Sequence, residues 1–163
     1  YDKVFCFGMG DGLESLKQAA WVEKNIVVSP SGIKAAEYMK DKFGIPYEME
    51  YPILPERVKF ELEGIENSRV LVIQQQAAAN EVRKALAEAG NEVTVGTFFM
   101  LNDSFKAEGD VLLETEEQYI RLVEEGGYDV IIADPLIKRA VASDSYGRWI
   151  PYEHFAVSGN LEV

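Results

Sequence analysis

The sequence predicts an α/β protein built as two stacked three-layer domains with parallel sheets. Three observations carry this. Short apolar runs alternate with helical periods along the chain. The runs Ile26–Val28, Val70–Ile73 and Val130–Ile132 are continuously apolar, as strands covered on both faces are. Strands separated by helices need crossover connections, which give parallel pairing.

The elements follow in order. Lys3–Gly8 reads as a strand, with Cys6 inside it as a small buried hydrophobe. Gly8-Met9-Gly10-Asp11-Gly12 is a tight strand-to-helix turn. It lacks the third glycine of a dinucleotide fingerprint, because Leu13 stands there, and Asp11 would repel a phosphate. Asp11 and Glu14 have capping-box spacing, and Leu13, Leu16 and Ala20 give the helix that follows one apolar face. Asn25–Val28 is the next strand, punctuated by Pro30 and Gly32. The helix after it has Ala35, Ala36, Met39 and Phe43 as its buried stripe. It ends at Gly44, with Pro46 as a stop. A short strand is expected at Tyr47–Glu50, then a connecting helix within Pro52–Ser68.

Arg69–Ile73 opens the second unit, so the domains divide as residues 1–66 and 67–163. A helix over Ala77–Ala89 follows, with Val82, Ala85, Leu86 and Ala89 inward and Gly90 closing it. Glu92–Thr97 is a strand. Thr115 and Gln118 form a second capping box, opening a helix with Tyr119, Ile120 and Val123 inward and ending at Gly126-Gly127. Asp129–Ala133 is a strand, a helix starts near Leu136, and Trp149–His154 is the last strand. The segments 25–48 and 129–153 also echo one another. Each carries an apolar strand, a proline-bearing turn, Ile-Lys and then Ile-Pro-Tyr-Glu, which favours an internal duplication.

Composition excludes several functions. The 163 residues are 47% hydrophobic, enough for a core, and carry 16 Lys+Arg against 28 Asp+Glu, a net charge of −12. That balance argues against gripping nucleic acid or an anionic membrane. No apolar run approaches the roughly 18 residues of a membrane span. One cysteine and one histidine, Cys6 and His154, leave no internal disulfide and no Cys/His metal site within this chain. Low cysteine content and the absence of a signal-like start fit a cytoplasmic protein. A chain opening on Tyr1 is expected of a piece of a longer protein or a processed start.

Ser29, Ser31, Gln74, Gln75, Gln76 and Asp134 each follow an expected strand. In open parallel sheets ligands sit beyond the carboxyl ends of strands, so these side chains are candidates to line a cleft. His154 reads as a structural or surface histidine. The acidic tract from Glu108 to Glu125 reads mostly as a solvated face, with a docking face for a basic partner second.

The stretch NIVVSPSGIKAAEYMKDKFGIPYEMEYP (residues 25–52) resembles the middle domain of the nitrogenase component 1 type oxidoreductases. There an apolar strand and a Ser/Pro/Gly turn lead to a helix ending in a Lys/Arg-aromatic-Gly-Ile-Pro-aromatic run. SRVLVIQQQAAANEVRKALAEAGNEVTVGT resembles the opening of that family's last domain, and GYDVIIADPLIKRAV with WIPYEHF resembles its finish. The resemblance implies Rossmann-like or flavodoxin-like domains, here the second and third of three, with the N-terminal domain outside this chain. It implies a homo- or hetero-oligomer with a related subunit, an iron–sulfur or related metallocluster in the full-length protein, and a partner ATP-dependent iron–sulfur reductase. Counting from Gly44-Ile45-Pro46, the family's cofactor cysteine falls on Val28, beside Ser29. Counting from Ile150-Pro151-Tyr152, its histidine falls on Ala156, with His154 two residues early. A cofactor held in the nitrogenase manner is therefore not expected of this chain. The function so implied is one wall of a metallocluster- or substrate-binding cleft for reductive chemistry. The alternative is a non-catalytic small-ligand-binding module or cofactor-assembly scaffold.

Overall fold

The structure, a computed structural model, describes residues 3–6, 14, 16–51, 54–154 and 156–157. It is α/β, with a two-stranded and a five-stranded parallel sheet and helices packed around them in Rossmann-like layers.

The smaller sheet pairs β1 (Asn25–Val27) with β2 (Tyr47–Met49), Asn25 opposite Tyr47. A 3-10 turn at Pro30–Gly32 leads into helix α1 (Ile33–Phe43). Gly44 ends α1 as expected, in the left-handed conformation (φ 71°), its N–H donating to Lys40 O at 2.8 Å. The buried face of α1 differs from the expected stripe. Ile33 and Ala36 are buried, Met39 is half-buried, and Ala35 and Phe43 are exposed. Two strands of three residues each cover only a narrow strip of helix, and Ile33 packs there with Val27, Met49 and Ala77.

The N-terminal readings fare differently. Lys3–Cys6 forms no strand, and Val4 and Cys6 are exposed. An apolar run becomes a strand only when a ladder accepts it, and β1 and β2 pair with each other. Phe7 to Leu13 lie outside the described residues, and with them the glycine turn and Asp11. Leu16–Trp21 is a 3-10 helix, not an α-helix, and it buries Ala19 while Ala20 is exposed. Three residues per turn rotate the apolar face away from its α-helical phase.

The larger sheet runs β5-β4-β3-β6-β7, all parallel. Its strands are β3 (Arg69–Ile73), β4 (Glu92–Thr97), β5 (Val111–Leu112), β6 (Val130–Ala133) and β7 (Arg148–Pro151). Side chains alternate across this sheet, so two cores form. On one face Val70, Val72, Ile132 and Ile150 meet α2 (Glu56–Leu62), through Val58 and Leu62, and α3 (Gln76–Leu86), through Ala79, Val82 and Leu86. On the other, Leu71, Ile73 and Ile131 meet Tyr119 and Val123 of α4 (Glu116–Gly126). The connecting helix α2 thus shares its core with the larger sheet.

On α3 the inward residues begin at Ala78 and Ala79, and Ala85 is exposed, because a helix locked by Val82 and Leu86 turns position 85 away. Half of the capping box at α4 forms: Thr115 Oγ1 accepts from Gln118 N at 3.2 Å, whereas Gln118 Oε1 accepts at 2.7 Å from Glu114 N, one residue before the N-cap. The helix expected near Leu136 is a single 3-10 turn, Ile137–Ala140, followed by a polar, turn-rich stretch that cannot extend it. The acidic tract contains one residue unlike the rest. Asp110 is buried, accepting from Val95 N and Ala107 N at 2.9 Å each and pairing with Arg83.

The internal echo does not preserve register. Tyr47 lies opposite the first residue of β1, whereas Tyr152 lies past the end of β7, donating its N–H to Ala133 O at 2.9 Å. The shared Ile-Pro-Tyr-Glu string occupies opposite ends of its two parallel pairs, which a register-preserving duplication does not predict. Among the described residues no helix is long and apolar enough to cross a membrane.

Candidate functional site

Taken in chain order, the larger sheet's strands are arranged third, second, first, fourth, fifth. The connection direction reverses between β3 and β6, and such a switch point leaves a crevice beyond the strands' carboxyl ends. A shallow cleft, open to solvent and with about 10 Å³ of space for a water-sized sphere, lies there. Gln74 follows β3 into it, Phe98 and Phe99 follow β4, Asp134 and Ile137 follow β6, and His154 and Val157 follow β7. Ile73 completes the lining.

The cleft's polar side chains are built into the fold. Asp134 is 1% exposed; its Oδ1 accepts from Leu136 N at 2.9 Å and its Oδ2 from His154 N at 2.8 Å. One carboxylate therefore ties the turn after β6 to the segment after β7. His154 is 3% exposed and stacks on the Phe99 ring, centroids 4.6 Å apart and planes 8° from parallel. Its Nδ1 accepts from Ala156 N at 3.1 Å, which assigns the neutral ring's proton to Nε2. Burial lowers the His154 pKa from its ordinary 6.5, and the Asp134 carboxylate only partly opposes this. Tyr119 donates its hydroxyl to Ile137 O at 2.9 Å, and burial raises its pKa well above the ordinary range, so the phenol stays protonated and holds that wall.

The glutamines act as ties. Gln74 Nε2 donates to Glu153 O at 3.1 Å, and Gln74 Oε1 accepts from Gln75 N at 3.0 Å. Gln75 Nε2 donates to Val28 O at 2.7 Å, and its Oε1 accepts from Ala77 N at 3.2 Å, capping α3. Gln76, fully buried, exchanges two hydrogen bonds with the Asn102 backbone.

Of the sequence candidates, the structure brings Gln74 and Asp134 together at the cleft. Gln75 lies beside them but turns to the end of β1. Ser29 and Ser31 sit at that end, Ser31 Oγ donating to Ser29 Oγ at 3.1 Å, and do not line the cleft. His154, read from the sequence as a structural or surface histidine, is buried and hydrogen-bonded and also lines the cleft. Phe98 and Phe99 were missed although they directly follow β4. The position rule that selected the glutamines selects them too, had it not been confined to polar residues. Among the described residues no group of three or more His, Cys, Asp or Glu could hold a metal ion.

No protein-family model matches the chain, and no curated protein matches it in sequence.

Proposed function

We propose that this chain forms one wall of a small-molecule cleft in a nitrogenase component 1-like oxidoreductase subunit. One observation carries the reading. The adjacent glutamines after β3 hold the segment after β1, through Val28 O, and the segment after β7, through Glu153 O, to the same strand end. The resemblance assigns the family's two cofactor-ligand positions to these two segments, so one edge brings both positions together.

The residues present do not fit a cluster ligated by this chain. Val28 and Ala156 stand at the two ligand positions, and neither side chain binds metal. His154, two residues from the second position, directs Nδ1 to Ala156 N. In this reading the chain contributes packing and hydrogen bonding to a substrate cleft, and any cluster and its electrons come from residues and a reductase outside it.

The same donor set favours a second reading, a non-catalytic binding module or assembly scaffold. Anaerobic expression of the full-length protein, with iron analysis and visible absorption, separates the two. Bound iron with a cluster absorption band supports the oxidoreductase. A colourless, iron-free protein whose melting temperature rises with a metabolite supports the binding module, since a ligand that binds only the native state stabilises it.

A further inference from the structure

We infer that Tyr146 and Trp149 form a cation site that takes a quaternary ammonium group, and that Lys138 is its built-in occupant. The site lies on the α4 side of the edge strand β7. None of its three residues lines the carboxyl-edge cleft, so it does not depend on the function proposed above.

β7 closes one side of the larger sheet, and Trp149 stands opposite Ile131 of β6. Side chains alternate along a strand, so Trp149 shares the α4 face with Ile131, while Ile150 enters the core on the other face. The turn before β7 brings Tyr146 to Trp149, ring centroids 5.4 Å apart and planes at 63°. Both rings, with Ile137, Ala140 and Val141, pack against the core formed by Tyr119, Val123 and Ile131. They are thus held in place before a ligand arrives, and binding need not order them. Trp149 is half-buried with its Nε1 inside, so what it shows outward is ring carbon.

The faces of aromatic rings carry partial negative charge and attract cations. The structure already places one here. Lys138 Nζ lies 5.7 Å from the Trp149 ring centroid and 5.9 Å from that of Tyr146. Lys40 and Arg69, by contrast, each lie over a single ring, of Tyr47 and Tyr128. Lys138 is exposed, and both of its distances are near the limit of about 6 Å for such contacts, so it is a weak occupant. Its ammonium is also strongly hydrated. A quaternary ammonium holds water weakly and presents its charge through methyl groups, so it gains more from the same two rings. The surroundings suit a cation. Glu124 Oε1 accepts from Ala142 N at 3.4 Å in the loop before Tyr146, and Arg148 is drawn away to Glu61 of α2, on the opposite face of the sheet. The net charge of −12 raises the local concentration of cations further.

The test is an NMR titration with choline and its neutral isostere 3,3-dimethylbutan-1-ol, read at the Trp149 indole N–H. The chain's other tryptophan, Trp21, is 87% exposed and serves as the internal control. Choline is expected to shift Trp149 and not Trp21, and to bind at least about fivefold more tightly than the isostere. Lys138→Ala vacates the seat by changing an exposed side chain, and should tighten choline at least about threefold. Trp149→Leu should abolish the choline shift at the Tyr146 ring resonances. Because Trp149 is half-buried, Lys138→Ala keeps the test intact if that variant does not fold. Capped Nε-trimethyl-lysine, run beside choline, separates a protein side chain from a free small molecule as the source of the ammonium, the tighter of the two naming it. Equal affinity for choline and its isostere, a Trp21 shift equal to that of Trp149, or choline binding unchanged in Lys138→Ala overturns the inference. So does the absence of any shift in both the wild type and Lys138→Ala.

Discussion

Protonating His154 is expected to destabilise the fold. The imidazole is 3% exposed and its pKa lies below the ordinary 6.5, chiefly through burial. Above pH 6.5 the folded and unfolded chains both hold the ring neutral. As pH falls below 6.5, the unfolded chain binds a proton that the folded chain does not, so stability declines until pH passes the folded-state pKa. The slope in that window is about 1.4 kcal/mol per pH unit. Between about pH 7.5 and about pH 5.5 the loss reaches about 1.4 kcal/mol if the folded pKa lies below that range, and less if it lies within it. Urea unfolding of the wild type and His154→Gln at both pH values isolates this contribution, because carboxylate titration is common to the two. The wild type should lose more stability on acidification, by up to that amount. Equal losses, or a wild type that gains on His154→Gln at acid pH, would refute the assignment of a buried neutral ring.

Four substitutions test the packing by urea or thermal unfolding. Asp110→Ala removes the carboxylate partner of Arg83, which keeps its bond to Asn80, and strands the N–H groups of Val95 and Ala107; it should cost about 2–4 kcal/mol, unlike a surface acid of the same tract such as Glu117. Phe43→Ser should change stability by no more than about 0.5 kcal/mol, because Phe43 is exposed, whereas Ile33→Ala should cost about 2–4 kcal/mol. Gln75→Ala removes the α3 cap and the tie to Val28; a loss of about 1–2 kcal/mol is expected, with faster hydrogen exchange at the Ala77 amide.

Where a local signal and the tertiary environment agree, the sequence was legible. Val70–Ile73 reads as a buried parallel strand and is the centre of the larger sheet; Gly44 and Gly127 close their helices with positive φ, and Gly90 does so after a 3-10 turn, Ala87–Ala89, that replaces the last turn expected of α3. Periodicity found the helices but not always their inner faces. On α1 the apolar stripe is wider than the two short strands beneath it, so packing selects Ile33 and Ala36 and leaves Phe43 outside. Residues Lys3–Cys6 look like a strand because strand propensity says nothing about whether a partner edge exists. The two-residue β5 lacks a run long enough to register, and only Gly96 and Thr97 of β4 define it. Candidate residues were chosen as polar groups after strands. That rule found Gln74 and Asp134 and passed over Phe98 and Phe99, because an aromatic after a strand looks like core until the sheet order places it at an open edge.

The consecutive glutamines also make a claim about how the two sheets depend on each other. Gln75 caps α3 at Ala77 while holding Val28 O, and Ala77 packs under Ile33 in the core of the smaller sheet. The two side chains therefore act on one junction, through a hydrogen bond and through packing. If the sheets belonged to independently stable units that merely touch, Ile33→Ala and Gln75→Ala would add within about 0.5 kcal/mol. With the junction shared, opening the Ile33 core frees β1 from Gln75, and the second substitution removes less than it does alone. A double-mutant cycle should return a coupling of about 0.5–2 kcal/mol, the double variant being more stable than the sum of the singles predicts. The cleft lies on the far side of the same dipeptide, at Gln74. Ile33→Ala should accordingly shift the amides of Gln74 and Asp134, although Ile33 lines no part of the cleft. Additive energies with unmoved cleft amides would mean that the smaller sheet only covers the helix end and does not brace the site.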